Sequence, residues 1–277
     1  MTNPSAPRNG VPAGRLLLVV IAMLTLAVPQ ASFGRSPGSR RPAADSVANG
    51  FQLPATARQV VVGIAEDWDA SVVVLRRYER RRLGWQAIGD PWAARIGPVG
   101  LAWGRGLHPI PAKAQYRKRE GDKRAPAGVF ELTETFGYDP AWADRSALPY
   151  TAVTARDLFV SDPASPSYNR HIRIDHDPAT PWERAQQMNQ RDPAHALEVF
   201  VAHNVDPVVA GAGSAIYLHV WRRGGASSTS GCTSMSRNQI ETLVKWLEPG
   251  ALYVLLPRSV YSDRQGPWRL PPAITAS

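Results

Sequence analysis

The chain contains a single cysteine, Cys232, among its 277 residues. One thiol excludes an intramolecular disulfide. It also excludes the usual structural zinc sites, which need two or more thiolates or several clustered histidines. The sequence therefore predicts neither a structural metal nor a cofactor.

Acidic residues are missing from the first 44 positions, where Arg8 and Arg15 precede an apolar run from Leu16 to Val28. This run of 13 residues suits the hydrophobic part of a secretory signal peptide and is short for a membrane span. Small residues follow it where cleavage is expected. We predict a signal peptide over residues 1–34 and a periplasmic location. The alternative is an uncleaved anchor, which would be the only membrane contact.

Negative charge is also scarce in the chain as a whole, with 23 acidic against 32 basic residues and a net charge of +9. A basic surface favours anionic partners. Export, and the lack of a basic helix with base-reading spacing, exclude nucleic acid from the expected partners. The densest basic run, Lys113 to Arg124, is interpreted either as a solvated loop or as a binding patch.

The 25 prolines and 22 glycines predict many turns and few long helices. We expect a linker over residues 35–56, a mostly β domain over 57–258 and a Pro-rich tail over 259–277. Short runs rich in Val, Ile, Tyr and Phe predict strands at 59–65, 71–76, 128–136, 197–202 and 215–221.

One helix is clearly signalled near the end of the domain. Ser236 can cap its N-terminus, and Gln239 stands three positions later, as in a capping box. An apolar stripe with helical spacing follows, and Gly250 supplies the stop. The stripe consists of Ile240, Leu243, Val244 and Leu247.

Cys232 lies in a loop of small polar residues between a predicted strand and this helix. Such neighbours leave the thiol reachable, and Gly231 lets the backbone approach a bound group. The positive end of the helix that begins near Ser236 favours a thiolate. We interpret Cys232 as a nucleophile. The alternative is a buried cysteine that acts as a small apolar residue.

His219 precedes the cysteine by 13 residues in a strand-like segment. Alternation places Tyr217, His219 and Trp221 on one face of the strand and Leu218 and Val220 on the other. The functional interpretation is a general base for the thiol. The alternative is a histidine with a purely structural role.

The stretch from Gly213 to Val220, followed by Ser230-Gly231-Cys232, resembles the signature of the L,D-transpeptidase catalytic domain, the YkuD-like family. That signature is a strand histidine followed by a Ser/Thr-rich loop that ends in Gly-Cys. Further segments match a branch of the family in the same order, between about residues 118 and 256. They are Glu120-Gly121-Asp122 with Pro126 to Phe130, Ser161 to Pro163 with Tyr168-Asn169, and His203-Asn204.

The resemblance implies a β-sandwich-like domain with one or two short helices, and peptidoglycan stem peptides as the substrate. Cys232 would attack the carbonyl of the third, diamino-acid residue, release D-alanine and pass the acyl group to an amine of another stem. Backbone N–H groups from Gly231 to Thr233 would hold the oxyanion. Either a carbonyl near Val220 or the Thr229 hydroxyl would orient His219. The residues assigned to substrate binding are Tyr168, Asn169, His203, Asn204 and Ser230.

Two departures from the family pattern bear on the substrate. Ser234 occupies the position two residues after the cysteine where many members carry arginine, and Ala125 replaces a frequent threonine. Substrate contacts attributed to that arginine are therefore not expected here.

Other functions remain as alternatives. The same acyl-enzyme resolved by water would make an L,D-carboxypeptidase, and a degenerate site would leave a non-catalytic wall-binding domain. The order of histidine before cysteine argues against a papain-like fold, and the short spacing argues against a sortase. A cluster of histidines and aspartates suggests metal ligands, although strand alternation would keep them from converging. Its members are His171, Asp175, His176 and Asp177. Two further histidines, His108 and His195, are expected only in a surface loop and at a strand start.

Overall fold

The computed structural model describes residues 50–274. The predicted signal segment and most of the predicted linker lie outside the described residues. Within the described range, no helix combines the length and the apolar composition that a bilayer crossing requires.

The described part of the chain is mostly β, as predicted. The strands are β1 (Gln59–Ala65), β2 (Val72–Arg81), β3 (Gly84–Arg95), β4 (Leu101–Trp103), β5 (Ala125–Gly137), β6 (Tyr150–Ala152), β7 (Asp157–Phe159), β8 (His171–Arg173), β9 (Leu197–Val201), β10 (Tyr217–Val220), β11 (Thr233–Met235) and β12 (Leu252–Pro257). The helices are α1 (Pro181–Gln186), α2 (Arg237–Trp246) and α3 (Arg258–Gln265). Residues 50–274 thus hold three short α-helices where one or two were expected.

The main sheet curls into a sandwich-like structure because β12, at one end, also pairs with β5, which is next to the other end. Its strand order is β12-β1-β2-β3-β11-β10-β9-β5-β4, and β12 also pairs with β5. The last strand of the domain is parallel to the first, with Val62 beside Val254. At the centre of the sheet, β10 runs parallel to β11 and antiparallel to β9.

The enclosed core is built from continuous apolar runs. Every residue of β1 and β12 is buried, which explains why their sequences lack alternation. Helix α2 covers the core with its predicted apolar stripe, and its capping box forms as expected. The Ser236 hydroxyl accepts from the Gln239 N–H at 3.3 Å, and the Gln239 side chain accepts from the Ser236 N–H at 3.1 Å.

The C-terminal segment differs from the expected tail. Helix α3 begins directly after β12, and Tyr261, Trp268, Leu270 and Ile274 are buried in the core. Leu53 is also buried, and its N–H donates to the Trp268 carbonyl at 2.9 Å. High proline content concealed this packing, because proline excludes long helices but does not prevent burial of the residues between turns.

A second apolar cluster covers the outer face of β5, β9 and β10. It consists of Phe136, Val153, Phe159, Met188, Phe200, Ala202 and Tyr217. Val153, Phe159 and Met188 come from the long segment between β5 and β9. Cys232 packs against the edge of this outer cluster, so this segment forms one wall of the site.

Candidate active site

The Cys232 thiol lies at the edge of the outer cluster, one residue before β11. Its sulfur accepts a hydrogen bond from the Tyr217 N–H at 3.4 Å and donates to the Ala215 carbonyl at 3.4 Å. The residue is partly exposed, and access of a substrate to its sulfur stays a prediction. The backbone at the start of β10 therefore fixes the sulfur position.

The loop before the cysteine is closed by Thr229. Its hydroxyl donates to the Cys232 carbonyl at 2.6 Å and accepts from the Gly231 N–H at 3.1 Å. Gly231 has φ of +140°, and a Cβ there would lie 2.9 Å from the Arg124 carbonyl oxygen. Thr229 therefore braces the loop, and the Gly231 N–H, one of those expected to hold the oxyanion, is already engaged by the Thr229 hydroxyl.

The side chain of Thr233 points away from the site. Its hydroxyl bonds the Tyr253 hydroxyl at 2.9 Å inside the core, so any support from Thr233 must come from its backbone. Ser230 is exposed at the loop surface, and its role in substrate binding stays a prediction.

His219 is oriented by a backbone carbonyl. Its Nδ1 lies 2.8 Å from the Val220 oxygen. The Val220 carbonyl only accepts, so this contact favours the tautomer with the proton on Nδ1, in which Nε2 carries a lone pair that can take a proton from a thiol. Of the two orienting groups considered from the sequence, the structure selects the Val220 carbonyl.

The strand register brings the two candidate catalytic side chains to one face. His219 pairs with Ser234 on β11 and with Glu198 on β9. Extending the β10–β11 register by one residue sets Cys232 beside Tyr217. The Cys232 thiol and the His219 imidazole are therefore diagonal neighbours on adjacent strands. Within residues 50–274, no hydrogen bond joins these two side chains.

Burial sets the resting protonation of this pair. Desolvation lowers the pKa of His219 to about 3, helped by the nearby positive charge of His195 and opposed by the Val220 and Ala194 carbonyls. Desolvation also raises the pKa of the Cys232 thiol to about 12. A neutral thiol and a neutral imidazole result. Desolvation outweighs the lowering of the thiol pKa that was expected from the N-terminus of α2.

The profile of the L,D-transpeptidase catalytic domain (YkuD) matches residues 90–256, which include both Cys232 and His219. The chain belongs to the L,D-transpeptidase catalytic domain family. Among solved structures, it is similar to the helical cell shape determining protein Pgp2 from Campylobacter jejuni, with 13% identity and a TM-score of 0.37. The match covers 76% of this chain and 51% of that one, so the chain spans about half the length of Pgp2. No curated protein matches the chain.

In this family member, His195 and Glu198 form a polar layer against His219 that the sequence did not indicate. The rings of His195 and His219 stack with centroids 5.0 Å apart and an angle of 24°. Nδ1 of His195 lies 2.7 Å from a Glu198 carboxylate oxygen, and an Arg222 guanidinium nitrogen lies 3.5 Å from Nε2. Spacing alone could not reveal this contact, since it joins a turn to a different strand.

The pairs Tyr168-Asn169 and His203-Asn204, which were assigned to substrate binding, are buried, and that role stays a prediction. The Asn169 amide donates to the His203 and Asn204 carbonyls, both at 2.9 Å, and accepts from the Ala215 N–H at 3.1 Å. His203 donates to the Ala212 carbonyl at 2.9 Å, and the Asn204 amide donates to the Gly213 carbonyl at 3.0 Å. These side chains hold the segment that presents Ala215 to the thiol.

Tyr168 has a similar supporting role. Its hydroxyl donates to Glu120 and accepts from the Gly213 N–H at 3.1 Å. The Ser214 hydroxyl donates to the same carboxylate at 2.7 Å. Glu120 belongs to the basic run from Lys113 to Arg124, so part of that run is tied into the fold and is not simply a solvated loop.

The suspected metal ligands lie in separate contacts. His171 bonds Asp157 at 3.0 Å, whereas His176 bonds Asp175 at 2.9 Å and Glu183 at 3.0 Å. Asp177 pairs with Arg156. Across residues 50–274, no three His, Cys, Asp or Glu side chains are grouped as metal ligands. His108 is buried and not in a surface loop: its Nδ1 accepts from the Val129 N–H at 3.0 Å.

Proposed function

We propose that the protein is an exported cysteine acyltransferase, an L,D-transpeptidase that acts on peptidoglycan stem peptides. Cys232 is the nucleophile and His219 the general base. The observation that carries this proposal is the pairing on one face of β10 and β11. A reachable thiol, held by Tyr217 and Ala215, lies diagonal to an imidazole whose Nε2 is kept unprotonated by the Val220 contact.

In the first half-reaction, the Cys232 sulfur attacks the carbonyl of the third residue of the stem. A thiol with a pKa of about 12 supplies little free thiolate at neutral pH. Proton transfer to Nε2 of His219 must therefore accompany the attack. The imidazolium then protonates the amine of the departing D-alanine as the C–N bond breaks, and a thioester remains on Cys232.

In the second half-reaction, a neutral amine of another stem attacks the thioester carbonyl. The amine transfers a proton to Nε2 of His219, the C–S bond breaks, and the imidazolium returns the proton to the leaving thiolate. Water in place of the amine gives the L,D-carboxypeptidase outcome with the same proton transfers. The acceptor therefore distinguishes the two activities, while the residues of the site are common to both.

The oxyanion of each tetrahedral intermediate needs hydrogen-bond donors. Because the Gly231 N–H is bound to Thr229, we assign this role to the backbone N–H of Cys232, with that of Thr233 as its neighbour. A donor of this kind contributes roughly 3 kcal/mol to acyl transfer in other enzymes.

Replacement of the nucleophile tests the proposal. Cys232→Ala and Cys232→Ser should both abolish D-alanine release from a disaccharide tetrapeptide, because neither supplies a thiol for His219 to activate. Folding should change by less than about 1 kcal/mol, since the residue is partly exposed and no large cavity opens. Ser228→Ala, in the exposed part of the same loop, is the control and should behave as wild type. Release of D-alanine by Cys232→Ala at the wild-type rate would refute the assignment.

The products and the location are tested separately. Mass spectra of the reaction should contain cross-linked dimers, whereas a tripeptide product alone would indicate a carboxypeptidase. Inertness of wild-type Cys232 towards thiol reagents and substrate would indicate a non-catalytic wall-binding domain.

For export, fractionation of cells should place a shortened chain in the periplasm. Full-length protein in the cytoplasm would contradict that part of the proposal.

A further inference from the structure

An acidic side chain with no hydrogen bond or ion pair among the described residues lies beside the outer cluster. Between Leu132, which pairs with Val201, and Thr135, which pairs with Val199, strand β5 contains an extra residue relative to β9. Glu134 belongs to this bulge and is half-buried. Bulges commonly redirect a side chain next to an active site. Glu134 therefore lies on the third strand from β11, and its carboxylate has no hydrogen bond or ion pair within residues 50–274.

The hydroxyl of Tyr217 is a second polar group without a partner. It is buried, and within residues 50–274 it makes no hydrogen bond. The ring is fixed by Phe136, Phe159 and Phe200, at centroid distances of 6.2, 5.5 and 5.7 Å. A buried hydroxyl left unpaired costs about 1–3 kcal/mol, so a ligand that bonds it would remove that cost.

Charges around this hydroxyl connect it to Glu134 and to the thiol. Burial raises the pKa of Tyr217 well above its ordinary value, and the negative charges of Glu198, Cys232 and Glu134 raise it further. Glu198 and Glu134 therefore lie within electrostatic range of Tyr217.

The register gives the same arrangement. Phe200 pairs with Tyr217, and the bulge that holds Glu134 lies opposite Phe200 on the next strand. On the other side, Tyr217 adjoins Cys232. With strands about 4.8 Å apart, this row extends from the thiol across the outer face to Glu134. A substrate side chain attached next to the thioester carbon would run along it.

We propose that Glu134 and the Tyr217 hydroxyl form a subsite for the side-chain ammonium of the residue that becomes acylated on Cys232. This inference rests on the proposed function, in which that residue is a diamino acid. A carboxylate supplies the counter-charge, the phenol oxygen accepts an N–H, and the surrounding aromatic rings favour a cation over an anion.

Neighbouring charges leave the carboxylate available for this role. Burial raises the pKa of Glu134, while the nearby charge of His171 lowers it. The Nε2 atom of His171 bonds Asp157 at 3.0 Å, so this imidazole is held by another carboxylate. A bound ammonium would favour the ionised form of Glu134 and satisfy the Tyr217 hydroxyl together.

Two donors that differ only in the amine test the subsite. One disaccharide tetrapeptide carries the free side-chain ammonium, and its partner carries a methyl group in that place. In wild type, kcat/KM for D-alanine release should be roughly 10- to 100-fold higher for the ammonium donor than for the methyl donor. This is the preference that one hydrogen bond between charged groups is expected to give. Glu134→Gln should reduce this ratio to near one, Tyr217→Phe should reduce it less, and Glu134→Asp should retain part of it. Asp90→Asn, an exposed acid on β3, is the matched control and should keep the wild-type ratio.

A ratio that Glu134→Gln leaves at the wild-type value would overturn the inference, and so would an equal loss on both donors, as expected if Glu134 activated water. If wild type released no D-alanine from either donor, the proposed function would fail instead. The subsite is then measured by calorimetric binding of the two peptides to the Cys232→Ala chain. A preference for the ammonium peptide that Glu134→Gln removes supports the subsite, and equal binding of the two peptides rejects it.

Discussion

The two faces of β10 differ in almost every property, although each consists of only two of the four residues of the strand. Leu218 and Val220 point into the main core and are buried among apolar side chains. Tyr217 and His219 point to the outer face and are equally buried, but carry a phenol and an imidazole. The inner face contributes the apolar burial that stabilises the fold. The outer face holds groups whose charged forms are disfavoured by burial.

This difference shows how the fold keeps the His219 imidazole neutral. Desolvation favours the neutral form that can accept a proton, and it opposes the imidazolium that the proposed proton transfer forms. The same burial keeps the thiol protonated until a substrate is attacked. Substitutions on the outer face of β10 should therefore affect the reaction, and substitutions on the inner face should affect stability.

The largest expected effect is on the outer face. His219→Ala should lower D-alanine release by about 10²- to 10⁴-fold, because the thiol loses its proton acceptor. His176→Ala, at an exposed histidine, serves as the control and should retain activity. The rate is measured with the disaccharide tetrapeptide. Wild-type turnover by a folded His219→Ala chain would refute the role of the base.

On the inner face, Leu218→Ala should cost about 2–5 kcal/mol of unfolding free energy, because the side chain is fully buried and leaves a cavity. Urea unfolding measures this value. The folded fraction should keep kcat within a few-fold of wild type. A large loss of kcat without loss of stability would mean that the two faces are not separated as described.

Acid should destabilise the protein through its buried histidines. Burial lowers the pKa of His108 to about 4, of His203 to about 3 and of His219 to about 3. Between these values and the ordinary pKa of about 6.5, the unfolded state binds protons that the folded state does not. The contribution of these histidines to the unfolding free energy is therefore complete above about pH 6.5 and is lost as the pH falls towards their folded-state pKa values.

Near pH 5.5, the slope of unfolding free energy against pH should correspond to about three protons, reduced by the raised pKa values of Glu134 and Glu198. Urea titrations at several pH values give the slope. His108→Phe should lower it by about one proton, whatever its effect on absolute stability. An unchanged slope in that variant would show that His108 is already protonated in the folded state.

The smallest effect is expected at Ser234. Its hydroxyl is buried and has no hydrogen-bond partner among residues 50–274, so Ser234→Ala should change stability by less than about 1 kcal/mol and can be stabilising. Thermal unfolding measures the shift. A clear destabilisation would indicate that a water or another group bonds this hydroxyl in the folded protein.

Local patterns predicted much of this molecule. Alternation in β10 correctly divided Tyr217 and His219 from Leu218, and the capping box at Ser236 correctly placed α2. Patterns failed where the relevant contact was distant in the chain. The roles of Asn169 and His203 as supports, and the burial of Trp268, depend on which segments meet, and no short window of sequence contains that information.

The sequence by itself determined the mostly β class and the position of one helix, because strand alternation and capping are local properties. Its resemblance to the family is what nominated Cys232 and His219. Only the tertiary structure decided which carbonyl orients His219 and that Thr229 braces the loop. It also placed His195 against the base and left Glu134 unpaired beside Tyr217. The physical reason is that desolvation and hydrogen-bond partners are set by residues brought together from different strands, and the pKa of each group follows from that assembly.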